Sequence, residues 1–315
     1  GVSLGCLTVN ETIIPGTVGC YKVNNIFHTG KSKFQKIHVV DLQSFGPTLM
    51  LDEKMQSTTT DEFIYHESLV YPAMLAHPNP KKVLILGGGE GATSREVLRF
   101  KSVERCVMVD IDEVVVETSK QFLTSYHKGA WENNRLEVVI GCAKEFLENT
   151  EEKWDVIVGD LADPIRGNPC YMLYTVEFYN MMKTKMAPGG IFVTQSGPCG
   201  YYSMDEVCVP VHNTLKKVFK HASVYHTHCP AFFDHYGFNL ASDVVDARDV
   251  LINGDVDKLI EERVDATHET GADASAVGST AAQFFDGETL KSSFVHPKWM
   301  KKKLVENQNF ICDAA

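Results

Sequence analysis

The chain has 315 residues, a formal net charge of −11, 44% hydrophobic and 23% charged residues; these are the proportions of a globular protein that buries a sizeable core. No run of about 18 apolar residues is present, which excludes a transmembrane helix, and the acidic balance argues against nucleic acid as the main partner. Gly1 to Asn10 has neither the basic lead nor the apolar core of a signal peptide, so a cytoplasmic location is expected. Nine scattered cysteines without a C-x-x-C pair read as reduced thiols rather than a zinc ribbon or a disulfide framework.

Residues 1–60 carry short alternating runs such as Lys36-Ile37-His38-Val39-Val40, bounded by Pro15-Gly16, Asn24-Asn25 and Gly46-Pro47. Runs of this kind predict a small antiparallel β domain. From residue 61 to 315 the texture changes to a second, larger domain. Helical spacing over Phe63 to His77 stops at His77-Pro78-Asn79-Pro80. The apolar run Lys82 to Leu86 is then a strand buried on both faces. Helix Thr93 to Phe100, strand Cys106 to Val109, helix Glu113 to Leu123, strand Leu136 to Ile140, helix Ala143 to Leu147, strand Asp155 to Val158, helix Phe178 to Met186 and strand Ile191 to Thr194 continue the alternation. Strands alternating with helices predict an α/β fold with a doubly wound parallel sheet covered on both sides. Ala266 to Ala282, rich in Ala, Gly, Ser and Thr, reads as a linker. Pro297 to Asn307 reads as a last helix with a basic face.

Gly87-Gly88-Gly89-Glu90-Gly91 sits between the first strand of this domain and the following helix, where such a sheet binds its ligand. The dinucleotide pattern G-x-G-x-x-G fails, because Ser94 stands where its third glycine belongs. The pattern G-x-G-x-G from Gly87 fits S-adenosylmethionine-type sites instead, and Asp110 at the end of the next strand is placed for ribose hydroxyls. Glu90 would repel a donor carboxylate yet pair with a donor ammonium, which favours a ligand that has lost its carboxylate. The alternative is that Glu90 faces water. A second acidic cluster, Gly159-Asp160-Leu161-Ala162-Asp163-Pro164, ends the Trp154 to Val158 strand. Alkylating an amine needs a neutral nitrogen lone pair, whereas a lysine-like amine has a pKa near about 10.4. A carboxylate there can orient the amine and take its proton; turn or capping chemistry is the plainer alternative, above all for Asp163.

With both clusters read, the sequence resembles the spermidine/spermine synthase family over nearly its whole length. The stretches that carry the resemblance are Leu51 to Ser57, Asp61 to Glu67, His77 to Pro80, Val83 to Gly91, Val109 to Asp112 and Gly159 to Pro164. It implies an N-terminal β domain joined to a methyltransferase-like Rossmann domain, a homodimer or homotetramer, and no metal, prosthetic group or covalent intermediate. The implied reaction is direct transfer of the aminopropyl group of decarboxylated S-adenosylmethionine to a polyamine, releasing methylthioadenosine. By the same resemblance Gln56 and Glu90 contact the aminopropyl part, with Gly87, Gly89 and Gly91 forming the loop. Asp110 takes the ribose; Ile111, Cys142, Ala143 and Leu161 line the rest of the donor site. Asp160, assisted by Tyr65, orients and deprotonates the attacking amine. Asp163, Gln195, His66 and Glu67 line the amine side.

Within the family the likeness is to plant-type thermospermine synthases, on Gly159 to Pro164 followed by Pro169 to Thr175 and on Phe285 to Leu290. Spermidine synthases carry a tyrosine in a P-T-Y stretch; Pro230-Ala231-Phe232 presents phenylalanine, which shifts the expected acceptor from putrescine to spermidine. Asp234 and Tyr236 are candidate contacts for the longer chain. Cys142 replaces the acid that the family uses beside the adenine amino group. A thiol accepts hydrogen bonds poorly, so Ile140, Leu161 and Pro169 are expected to wall the adenine. His226-x-His228-Cys229 has the look of metal-ligand spacing, but a strand with surface histidines is the reading favoured. Spermidine or spermine synthesis, methyl transfer from intact S-adenosylmethionine, and non-catalytic polyamine binding remain as alternatives.

Overall fold

A computed structural model describes residues 7–14, 16–265 and 282–313. The expected linker, Ala282 apart, therefore lies outside the described residues. The N-terminal segment forms a five-stranded antiparallel sheet in chain order, β1 (Thr8–Ile14), β2 (Thr17–Lys31), β3 (Lys36–Leu42), β4 (Gly46–Leu51) and β5 (Lys54–Thr58). Period-two alternation gives β3 two apolar faces. Val40 and Leu42 pack with Tyr21, Met50 and Met55, while Ile37 and Val39 pack with Leu49, Ala92, Val115 and Tyr126. The second face is thus closed by residues from the other sheet's helices.

The chain then enters α1 (Glu62–Ala76), buried along nearly all its length and stopped at His77, whose extended backbone leads into Pro78. There follow β6 (Lys82–Gly87), α2 (Ala92–Leu98), β7 (Arg105–Asp110), α3 (Glu113–Phe122), α4 (Thr124–His127), β8 (Leu136–Ile140), α5 (Ala143–Asn149) and β9 (Trp154–Asp160). Next come α6 (Val176–Lys183), β10 (Met186–Pro198), α7 (Cys208–Val218), β11 (His221–Cys229) and β12 (Asp234–Ser242). Four further helices close the described chain: α8 (Ala247–Asn253), α9 (Val256–Arg263), α10 (Gly287–Ser293) and α11 (Lys298–Glu306). The seven strands of the second sheet run in the order β11-β12-β10-β9-β6-β7-β8. Strands β6 to β10 are parallel, and alternate residues feed opposite layers. Val83, Ile85, Val156 and Val158 face one, Leu84, Leu86, Val107 and Ile157 the other.

The sheet departs from an all-parallel arrangement at one edge. β12 pairs antiparallel with β10, and β11 antiparallel with β12. The cause is local: Pro230–Phe232 forms a single 3-10 turn and Phe233 adopts φ 55°. A connection that short returns the chain beside itself and leaves no room for a crossover helix. α6 also begins earlier than its apolar spacing suggests, because the Thr175 side chain caps it by accepting the Phe178 N–H at 3.2 Å.

Strand order reverses between β6 and β9, which places their carboxyl ends at a topological switch point. Register sets Gly87 beside Asp160 and Asp110 beside Ile140. Among the described residues no helix is long and apolar enough to cross a membrane.

Candidate active site

At the switch point backbone geometry comes first. Gly87 has φ +84°, and a Cβ there would lie 2.1 Å from the Asp160 carbonyl oxygen. That distance admits no side chain, and the Gly88 N–H donates to the same oxygen at 3.1 Å. At Gly89 a Cβ would meet Asp110 Oδ2 at 2.7 Å. The loop therefore runs in contact with both strand-end acids.

Asp160 is gripped from two elements. Tyr65 of α1 donates its hydroxyl to Oδ1 at 2.7 Å, and Thr93 of α2 donates to Oδ2 at 2.5 Å. Burial raises the Asp160 pKa, opposed by the charge of His66 and by the Thr93 hydrogen bond. Burial and the Asp160 charge hold the Tyr65 phenol well above its usual range, so Tyr65 stays protonated and acts as a donor. Both Asp160 oxygens keep further acceptor capacity for an incoming amine. Asp110 accepts the Asp112 N–H at 2.8 Å; burial, with the Asp112 charge adding, pushes it up to about 6 against the N–H groups of Asp112 and Gly89.

Glu90 does not face water. It is 8% exposed, accepts the Ser57 hydroxyl at 2.5 Å and lies 2.7 Å from His66 Nε2. His66 Nδ1 lies 2.8 Å from Glu62 Oε2. Burial alone would lower the His66 pKa, but the hydrogen bonds and charges of Glu62 and Glu90 outweigh it and hold it at about 10. His66 is thus a cation beside Glu90.

On the side expected to take the amine, Asp163 Oδ1 lies 3.2 Å from Gln195 Nε2 and accepts the Tyr236 hydroxyl at 3.4 Å. Gln195 is fully buried and also reaches Leu161 O at 2.5 Å and the Tyr174 hydroxyl at 2.9 Å, so it braces the 161–163 loop. The Phe232 ring lies 4.9 Å from Tyr236 and 6.2 Å from Tyr65, and Tyr65 and Tyr236 are 5.6 Å apart. Tyr65, which donates to Asp160, and Tyr236, which donates to Asp163, are therefore in ring contact with each other and with Phe232. On the donor side Ile111 and Ile140 stay 38% and 43% exposed, apolar surface left open at the sheet's carboxyl edge. Cys142 caps α5 through its backbone without a side-chain hydrogen bond, Ala143 is buried, and Leu161 is half-buried. The Pro169 side chain lies outside the described residues. Gln56 is half-buried on β5, with its amide donating to Lys54 O at 3.1 Å.

Two expected residues are elsewhere. Glu67 does not line the amine side: it is fully buried and accepts the backbone N–H groups of Gln283, Phe284 and Phe285 at 2.7, 2.8 and 3.0 Å. One residue on from His66, it is rotated about 100° around the helix and faces the C-terminal layer. Asp234 is turned to Ser203, whose hydroxyl donates to it at 2.7 Å; Tyr236, two residues further along β12, is the one that reaches Asp163. Ser57, Thr93 and Tyr174 escaped the sequence reading. Ser57 ends the motif that contains Gln56, and Thr93 lies in the first turn of the helix after the glycine loop, so adjacency was the available signal. His226 and His228 lie on β11, the first half-buried and the second exposed.

A doubly wound sheet whose switch point gathers a glycine loop, a strand-end acid and a carboxylate pair is built to hold an adenosine-bearing donor against a cationic acceptor. The chain belongs to the spermine/spermidine synthase family: residues 62–247 match the spermine/spermidine synthase domain and residues 8–59 the spermidine synthase tetramerisation domain. Thermospermine synthase ACAULIS5 of Arabidopsis thaliana is 48% identical over 260 residues, 82% of this chain and 76% of that protein. The polyamine aminopropyltransferase of Sulfolobus acidocaldarius is 40% identical over 297 residues, 94% and 92% of the two chains. Among solved structures, spermidine synthase from Thermotoga maritima superposes with TM-score 0.81 at 26% identity, covering 96% of this chain and 97% of that one. A spermidine synthase bound to the transition-state analogue AdoDATO gives 0.83 at 27%, covering 96% and 98%. The protein is an aminopropyltransferase, a class that draws on decarboxylated S-adenosylmethionine and releases methylthioadenosine.

Proposed function

We propose that the enzyme transfers the aminopropyl group to spermidine and forms thermospermine. The observation that carries the acceptor reading is the ring wall of Phe232, Tyr65 and Tyr236, whose two tyrosines donate to Asp160 and Asp163. Phe232 offers no hydroxyl to a short diamine, whereas the wall gives methylene segments an apolar path and Asp163 gives a remote ammonium a partner. The name of the Arabidopsis relative supports the same product.

In this reading Glu90 and Gln56 take the donor's aminopropyl end, Asp110 the ribose, and Ile111, Cys142, Ala143 and Leu161 the adenine side. Gly87, Gly89 and Gly91 let the loop approach the donor. Asp160 accepts a proton from the acceptor amine while Tyr65 and Thr93 fix its two oxygens. The nitrogen lone pair then attacks the carbon beside the sulfonium. The C–N bond forms as the C–S bond breaks, and the sulfur leaves as the neutral thioether. Methyl transfer from intact S-adenosylmethionine is disfavoured, since its carboxylate would meet Glu90.

Residues 1–60 serve as an assembly domain and residues 61–315 as the catalytic one, in a cytoplasmic homo-oligomer. The deciding experiment incubates the enzyme with decarboxylated S-adenosylmethionine and either putrescine or spermidine, then resolves spermine from thermospermine by chromatography. Thermospermine from spermidine is expected; spermidine as the main product, made from putrescine, overturns the assignment.

A further inference from the structure

The site carboxylate Glu90 is the end of a buried chain of alternating charges. Its Oε1 lies 2.7 Å from His66 Nε2, and His66 Nδ1 lies 2.8 Å from Glu62 Oε2. Glu62 is held on both oxygens by Arg95, Nη1 to Oε1 at 2.8 Å and Nη2 to Oε2 at 2.9 Å. Arg95 in turn reaches Glu96 through Nε at 2.8 Å, and Arg99 closes on Glu96 at 3.1 Å. Glu62, His66, Glu90, Arg95 and Glu96 are all less than 10% exposed. Exposed ion pairs are worth little, but in this buried chain each link is hydrogen-bonded and an unmatched member is costly.

The geometry constrains the protons. An ionised carboxylate only accepts, and a neutral imidazole has one N–H. His66 has a carboxylate on each ring nitrogen, with the Glu62 carbonyl oxygen a further acceptor 2.7 Å from Nδ1, so against ionised carboxylates it fills both sides only as an imidazolium. The bidentate Arg95 fork keeps Glu62 ionised, the arrangement in which arginine and carboxylate match best.

We propose that Glu62, braced by Arg95, is a positioning residue for the transfer reaction: it holds His66 as a double donor, and His66 fixes the Glu90 carboxylate facing the donor. The proposal rests on the reading that Glu90 meets the donor's ammonium end. The charged or titratable groups facing His66 are Glu62 and Tyr65 of its own helix, Glu90 of the glycine loop and Asp160 of β9, with Arg95 of α2 acting through Glu62. The His66 cation stands beside two carboxylates, Glu90 and Asp160, that repel each other. Removing it loosens Glu90 and makes Asp160 harder to ionise. With Glu62 neutral, only Glu90 is left to oppose burial at His66, and the imidazolium gives up its proton at lower pH than in the wild type.

Two measurements test this. In the ligand-free full-length protein with isotope-labelled histidine, the His66 ring, assigned through His66→Gln, is expected to stay protonated to pH 9 by NMR; a ring neutral at pH 7.5 overturns the proposal. In Glu62→Gln, with folding checked by circular dichroism, the donor KM at pH 8.5 is expected to rise about tenfold, the loss of one buried charge-assisted contact, with a far smaller change in kcat. That KM should climb further between pH 7 and 9, where the wild-type value stays flat. A merely structural role would leave the pH profiles parallel, and that result sinks the idea. Should Glu62→Gln not fold, the His66 titration in the wild type decides the proposal. A wild type that releases no methylthioadenosine would fail the functional reading instead, while the His66 titration still decides this one.

Discussion

Asp160 holds its position through donors on two different helices, Tyr65 on α1 and Thr93 on α2. The carboxylate geometry is therefore set before any acceptor binds, as the proposed role requires. Asp160→Asn keeps the shape and removes the proton acceptor, so kcat is expected to fall about 10²- to 10⁴-fold, with donor affinity by calorimetry nearly unchanged; a drop below threefold would refute the role. Because burial raises the Asp160 pKa, its carboxylate is ionised only above the ordinary aspartate range. The wild-type acid limb of kcat/KM should accordingly lie higher than an exposed aspartate would place it, with activity lost as pH falls through that limb. Much at this scale was legible, because the glycine loop and the acid pair follow strand-like runs directly. What surrounds Glu90 was not: Ser57, His66 and Glu62 come from β5 and α1, and chain distance hid a contact that only packing of the two sheets creates.

At the scale of elements, α1 serves two sites from one turn. His66 looks toward the glycine loop and Glu67 toward the C-terminal layer, because consecutive helical residues point about 100° apart. The family resemblance placed Glu67 together with His66 on the amine side. The Glu67 carboxylate instead accepts three consecutive backbone N–H groups. Glu67→Gln replaces one accepting oxygen with a donor that faces backbone donors, a loss of about 1–3 kcal/mol. The expected result is a clearly lower Tm with kcat within about twofold of wild type; a matching loss of kcat at unchanged Tm would return Glu67 to the amine side. The hairpin of β11 and β12 was illegible for a related reason. Its strands have ordinary apolar patterns, and direction is decided by the three-residue turn Pro230–Phe232, not by the strands.

Across the whole molecule, the two sheets are tied at a second point, two residues beyond Asp110 at the carboxyl end of β7. Asp112 caps α3 by accepting the Val114 N–H at 3.2 Å, and its other oxygen accepts Ser32 Oγ at 2.6 Å and Gln35 Nε2 at 2.9 Å from the β2–β3 turn. One side chain thus serves both as a helix cap and as a bolt between sheets. Asp112→Ala should remove a cap worth about 1 kcal/mol together with the two inter-sheet contacts. Scanning calorimetry should then show a lower Tm, with faster hydrogen exchange in the β2–β3 turn; an unchanged turn would deny the bolt. The two-part architecture followed from the change of texture near residue 61, since short alternating runs and strand–helix alternation are different periodicities. How the parts meet did not, because Ser32, Gln35 and Asp112 are ordinary polar residues until folding makes them neighbours.

The hairpin hangs on the sheet through β10 alone, whereas the glycine loop and Asp160 are locked together by main-chain contact across β6 and β9. The two sides of this edge are therefore held differently. Residues 230–236 lean on side chains, the Ala231 N–H on Asp61 at 2.7 Å and the Tyr236 hydroxyl on Asp163 at 3.4 Å, while the spacing between glycine loop and Asp160 is fixed by backbone atoms that no side-chain substitution can move.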